Sequence, residues 1–319
     1  MAKSSIEWTT ETWNPVTGCS RISDGCTNCY AEKMTKRLEA MGQVKYAGLL
    51  NAQGRFNGTV KTWDDALQIP LKTKKPTTYF VNSMSDLFHA NLPDEFIDKV
   101  FAVMALCPQH TFQILTKRPE RMRNYFAPAN RTVDRGFNLA AWLDHNYGEA
   151  AIDAVLESRK KSVCPSNVWL GVSVEDQKAA DERIPLLLQT PAAIRWLSVE
   201  PLLGPVDLTQ HLKCESCIDR SVHWCGDPVV DWVVVGGESG PGARDCDIHW
   251  IRSVVEECKA AEVPVFVKQL GAKPFMGVKG FGPVIKNKKG GDIAEFPPDL
   301  QIREFPTEAR WPNSYYWLW

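Results

Sequence analysis

Short runs of β-branched and aromatic residues recur along the chain, and longer stretches with apolar positions every three or four residues lie between them. That alternation predicts parallel strands joined by crossover helices. Six strands stand out: 77–82 (TTYFVN), 111–115 (TFQIL), 167–174 (NVWLGVSV), 194–199 (IRWLSV), 231–237 (DWVVVGG) and 263–268 (VPVFVK). A shorter one within 11–15 would be the first stave. Between them a helix is expected over 29–41, with Tyr30, Met34, Leu38 and Met41 on one face, and another up to Leu106 with Asp94 as its cap. Further helices are expected over 119–126, 176–189 and 248–260. The fold class is therefore α/β, a partial or complete (β/α) barrel of the TIM type. It is expected to fill residues 1–270, with a helical insertion at about 127–163 and a cysteine-bearing loop at about 210–228. Residues 271–319, rich in Gly, Pro and Lys, form a C-terminal extension expected to pack on the barrel.

In such barrels the chemistry sits at the carboxyl ends of the strands. Here polar residues follow nearly every apolar run: Asn82, Ser83, Ser85 and Asp86; Thr116, Lys117 and Arg118; Ser173 and Glu175; Glu200; Glu238 and Ser239; Lys268 and Gln269. Residues of these types also cap helices, but their recurrence at strand ends points to one shared pocket. The chain of 319 residues carries a net charge of −1, so it lacks the overall basicity of a general polyanion binder. Without a long apolar run or a signal-like N-terminus, a cytoplasmic protein with no membrane partner is expected. In that compartment its ten cysteines stay reduced, so a cluster of them is read as metal ligands rather than disulfides.

One such cluster opens the barrel. In WNPVTGC-SRISDGC-TNC-YAE, Cys19, Cys26 and Cys29 lie within eleven residues, with Gly18 and Gly25 allowing a tight loop. A structural zinc ion wants four ligands, whereas an iron–sulfur cube held by three thiolates keeps one iron open to a substrate or cofactor. A second group, Cys214, Cys217, His223 and Cys225, has the ligand types of a small zinc knuckle, with His211 just upstream. Zinc, free loop thiols and a second cluster all remain open there. Cys107, Cys164, Cys246 and Cys258 are dispersed and read as buried apolar groups, and His89 and His110 as structural.

WNPVTGC with its three cysteines and CYAE, then VNSMSDLFH, ILTKRPERM, VWLGVSVEDQ, WLSVEPLLGPVDL, DWVVVGGESGPGAR and VFVKQLG, together resemble the phage-type three-Cys-motif proteins. That group looks like a branch of the radical S-adenosylmethionine (SAM) superfamily. The resemblance implies that Cys19, Cys26 and Cys29 hold a [4Fe-4S] cluster whose open iron binds SAM, which a reductant protein's electron cleaves to a 5′-deoxyadenosyl radical. It further implies SAM contacts from Ser83, Ser85, Asp86, Ser173, Glu175 and Glu200, and catalytic or substrate roles for Lys117, Arg118, Glu238 and Lys268. The cysteine spacing departs from the superfamily's: six residues and then two, in place of three and two, with Asn28 where an aromatic residue is usual. The superfamily's Gly-Gly-Glu element is also displaced, since Gly236-Gly237-Glu238 follows a late strand and Asn82–Asp86 takes the usual place.

The substrate class is less legible. Lys72, Lys74 and Lys75, the pair Lys117-Arg118 with Arg121 and Arg123, Arg159–Lys161 and Lys286–Lys289 form basic patches, and Lys117 and Arg118 at a strand end could face phosphate. A nucleic-acid base or nucleotide is the expected substrate, for modification or repair. Two rivals stand beside this: a non-catalytic zinc protein, and a nucleic-acid-binding partner of a phage or defence system that uses its cluster structurally.

Overall fold

The computed structural model describes residues 6–130, 132–213 and 229–306. Seven parallel strands form one sheet in sequential order: β1 (Glu11–Trp13), β2 (Thr78–Val81), β3 (Thr111–Thr116), β4 (Val168–Ser173), β5 (Ile194–Val199), β6 (Trp232–Gly236) and β7 (Val265–Gln269). Between β1 and β2 lie α1 (Tyr30–Ala40) and α2 (Asp64–Lys72), and α3 (Asp94–Leu106) follows β2. Then come α4 (Pro119–Phe126), α5 (Val133–Tyr147), α6 (Glu149–Lys161), α7 (Gln177–Leu188), a single turn α8 (Thr209–Leu212) and α9 (Ile248–Ala260). The fold is α/β, and the sheet curls into a partial barrel.

Strand alternation sorts the apolar residues onto two faces. Tyr79, Val81, Phe112, Ile114, Leu170, Val172, Leu197, Val199, Val233, Val235, Val265 and Val267 share the main core with buried residues of the surrounding helices. The opposite parity gives the concave face, where Trp196, Trp232, Val234 and Phe266 bury together with Trp8, and Phe80, Leu115 and Trp169 pack against them. Trp8 precedes the first strand yet meets Trp196 and Trp232 of late strands edge to face, at 5.2 and 6.1 Å between ring centroids. The sheet must curve for those rings to meet. Gly171 is required on this face, because a Cβ there would stand 2.5 Å from the Trp196 indole nitrogen.

The 127–163 segment forms α5 and α6, which pack on α3 on the flank of the barrel rather than over its mouth. Asp94 does not cap α3: Pro93 is the N-cap, and the Asp94 carboxylate instead binds Arg121, Arg135 and Asn130. His110 is structural, accepting from the Thr77 amide and meeting the carbonyls of Pro70 and Thr73. After β7 the chain stays on the barrel, pairing Pro274–Phe275 with Cys246–Asp247 and burying Phe296 and Leu300 in the main core. Phe305 stacks on Trp232.

Candidate active site at the carboxyl ends of the strands

The cysteine loop begins where β1 leaves the sheet. Val16–Thr17 pairs with Lys61–Thr62, and Gly18 donates its amide to the Met84 carbonyl while Gly58 donates to that of Cys19. Gly18 has φ +91°, and a Cβ would fall 2.1 Å from the Thr59 carbonyl oxygen, so only glycine fits the approach to Cys19. Ser83 and Ser85, at the end of β2, hold this entry by donating to the Asn14 side chain and the Val16 carbonyl. The loop ends at Cys29, which occupies the N-cap position of α1.

Three strand-end groups then hold the loop over the mouth. From β3, Arg118 donates to Asp86 at 2.7 Å, and to the Ser20 carbonyl and hydroxyl at 2.9 Å each. It also reaches the Cys19 sulfur at 3.7 Å. Asp86 is fixed in turn by the Thr116 hydroxyl and the amides of Phe88 and Lys117. From β4, Glu175 pairs with Arg183 and lies against the loop backbone, where a Cβ on Gly25 would stand 3.0 Å from its carboxyl carbon and 3.2 Å from Lys117 Cε. From β6, Glu238 accepts from Asn28 at 2.9 Å and pairs with Arg244, whose guanidinium also donates to the Asp24 carbonyl. At the neighbouring strand ends Glu200 takes two short contacts from Lys268, 2.7 and 2.8 Å, and one from Gln269. Ser173 is buried, and its carbonyl accepts from Arg183.

The electrostatics follow from this seating. Burial opposes ionisation of Glu175, but Lys117, Arg183 and Ser23 outweigh it and hold the carboxyl below its usual range. For Glu238 burial is again outweighed, here by Arg244 and Asn28. Burial, reinforced by Asp86, pushes the Cys19 thiol up to about 12 against the opposing pull of Arg118. Cys29 is also raised by burial, while the amides of Glu32 and Ala31 at the start of α1 favour its thiolate. Arg21 pairs with the buried Glu32, and its charge bears on Cys29 and Cys26.

The three cysteines are free, half-buried thiols, and Cys19 and Cys29 are backed by apolar Ala31, Tyr46, Leu49, Phe56 and Met84. Soft donors, adjacent cations and an apolar shell suit an anionic iron–sulfur cluster. Among the described residues no three His, Cys, Asp or Glu side chains converge on a single point. Cys214, Cys217, His223 and Cys225 lie outside the described residues, and the nearby His211 is buried.

The structure thus brings Ser83, Ser85, Asp86, Lys117, Arg118, Glu175 and Glu238 to the cysteine loop, and sets Glu200 and Lys268 as a pair beside them. Arg118, which by its strand-end position could face phosphate, has its guanidinium donating to Asp86 and to Ser20 of the loop. Sequence reasoning missed the anchoring roles of Asn28, Arg183 and Arg244. Only Arg244 carried a signal, as the last residue of the Gly-rich run after β6.

A family described as "Protein of unknown function (DUF5131)" matches residues 3–293. No curated protein sequence matches significantly. Among solved structures, a cysteine-to-serine mutant of spore photoproduct lyase is similar at 11% identity over 81% of this chain and 63% of that one, with a TM-score of 0.38. A double mutant of the same enzyme, with bound AdoMet and dinucleoside spore photoproduct, is similar at 11% identity over 77% and 60%, with a TM-score of 0.37. The chain spans less than two-thirds of the length of either. Among the described residues no helix is long and apolar enough to cross a membrane.

Proposed function

The chain belongs to the DUF5131 family of proteins of unknown function, and we propose that it is a radical-SAM-like iron–sulfur enzyme acting on a nucleic-acid base or nucleotide. The observation that carries the reading is the seating of three free thiols, on one loop, over the carboxyl ends of the strands. Cys19, Cys26 and Cys29 would hold a [4Fe-4S] cluster. When bound, that cluster supplies one-electron reductive cleavage of SAM to a 5′-deoxyadenosyl radical, which takes a hydrogen atom from the substrate.

The chain's own residues bind, orient and shield. Arg118, fixed by Asp86 and Ser20, places a positive charge beside Cys19 and offsets part of the charge of the thiolates. Glu175, paired with Arg183, and Glu238, paired with Arg244, fix the loop at its Gly25 and Asn28 ends and keep the thiols in register with the mouth. Glu200 and Lys268 offer a carboxylate and an ammonium within one ion pair, a complement to the two charged ends of an amino acid such as the methionine part of SAM. Beneath them the buried tryptophans and Phe266 close the concave face to solvent from below.

Anaerobic reconstitution with iron and sulfide tests the reading. The reconstituted protein should bind SAM by calorimetry and, with a strong reductant, release 5′-deoxyadenosine. No SAM binding and no 5′-deoxyadenosine would overturn it and leave a structural cluster or a zinc site in its place.

A further inference from the structure

Residues 271–291 contain five lysines, Lys273, Lys279, Lys286, Lys288 and Lys289, and no acidic residue, in a chain whose net charge is −1. All five are exposed. Within the same segment Met276, Val278, Phe281 and Val284 are also exposed, Phe281 by 73% and Val284 by 88%. A merely solvated basic face would place polar residues between its lysines; this one places apolar side chains there, one of them aromatic. The segment is held in shape rather than frayed. Met276 donates to the Phe281 carbonyl and Phe281 to that of Val278, closing a turn, and the Glu295 carboxylate accepts from the amides of Lys286 and Asn287.

The segment is also tied to the mouth of the barrel. Leu270, at the end of β7, donates to the Gly290 carbonyl at 2.8 Å, and Ala272 donates to the Glu238 carbonyl at 2.8 Å. Glu238 is the residue whose carboxylate binds Asn28 of the cysteine loop. A single residue therefore joins the cysteine loop to the base of the lysine-rich segment. We infer that residues 273–289 are a binding surface for single-stranded nucleic acid, with Lys286, Lys288 and Lys289 on phosphates and Phe281 stacked on a base. Charge complementarity with the phosphate backbone selects the occupant, and an exposed ring among lysines is what a strand with free base faces requires. This names the substrate class for the activity proposed above, and rests on that reading only in taking the mouth as the place of reaction.

The test uses the full chain without cofactor and a fluorescent oligonucleotide of about 16 nucleotides, as single-stranded DNA, single-stranded RNA and duplex DNA, followed by anisotropy. Three lysine–phosphate contacts predict that the logarithm of the affinity falls with that of the salt concentration at a slope of about −2. Replacing Lys286, Lys288 and Lys289 together with Ala should remove most of that slope. Phe281→Ala should weaken binding about tenfold and leave the slope unchanged. The DNA and RNA arms identify which strand is taken. Absence of binding at low salt, variants that bind like the parent protein, or a preference for duplex would each overturn the assignment. SAM calorimetry on the reconstituted variants should match the parent protein. If oligonucleotide binding holds while the parent protein binds no SAM, the proposed reaction fails and the surface stands.

Discussion

Removing the Arg118 side chain tests how the cysteine loop is held. The Arg118 and Asp86 side chains are 12% and 8% exposed, so their ion pair is largely withdrawn from water. Arg118→Met keeps much of the stem but deletes the 2.7 Å contact to Asp86, both contacts to Ser20 and the approach to Cys19. Breaking a buried pair from one side costs about 3–5 kcal/mol, because the remaining charge is left without its partner. Asp86 keeps donors from Thr116, Phe88 and Lys117, which places the loss near the lower end, about 3 kcal/mol. Urea denaturation of the metal-free protein, followed by tryptophan fluorescence and far-UV circular dichroism, measures it. Adding Asp86→Asn should then cost less than it does in the parent protein, with a coupling of about 1–3 kcal/mol. Arg118→Met within about 0.5 kcal/mol of the parent protein would refute the reasoning, as would strictly additive single and double variants.

Replacing Cys19, Cys26 or Cys29 singly with Ala should abolish retention of iron and sulfide while leaving the far-UV spectrum of the barrel intact, and full iron content in any one variant would remove that cysteine from the ligand set. Gly171→Ala forces a methyl group onto the buried Trp196 ring and should destabilise the protein by about 1–3 kcal/mol, read as a lower melting temperature; an unchanged one would contradict the packing of the concave face. Burial raises Cys19 and Cys246 to about 12 and Cys107 to about 11, all above the unfolded thiol value of about 8.5. Their stabilising contribution is full below that value and is lost as the pH rises from about 8.5 through the folded values, so the urea midpoint of the metal-free protein should fall between about pH 9 and 11. Cys107→Ala should make the fall shallower, and a midpoint independent of pH in that range would contradict the burial of these thiols.

The strands were legible because each is an apolar run bounded by polar residues, and six of them appear within two residues of where the sequence puts them. The helix over 64–72 was not foreseen: it is short and carries Pro70, which reads as a breaker, and the Ala66 carbonyl that Pro70 leaves without an amide donor accepts instead from the Trp13 indole. Asp94 shows a different limit, since its sequence position fits a cap equally well one residue earlier or later, and tertiary pairing with Arg121 and Arg135 settles its role. At the site, the sequence put polar residues at the strand ends but carried no sign of which way their side chains turn. Arg118 and Ser20 are 98 residues apart, and Asn28 and Glu238 are 210 apart, so neither pairing leaves a local signal.

The central claim is that Cys19, Cys26 and Cys29 would together hold a cluster with one iron left open to SAM. Electron paramagnetic resonance of the dithionite-reduced, reconstituted protein, recorded with and without SAM, tests it most directly. The account predicts a signal from a reduced [4Fe-4S] cluster whose shape changes when SAM is added and which is absent from the Cys19→Ala, Cys26→Ala and Cys29→Ala variants. A cluster signal that SAM leaves unchanged, or one that survives all three substitutions, would contradict it.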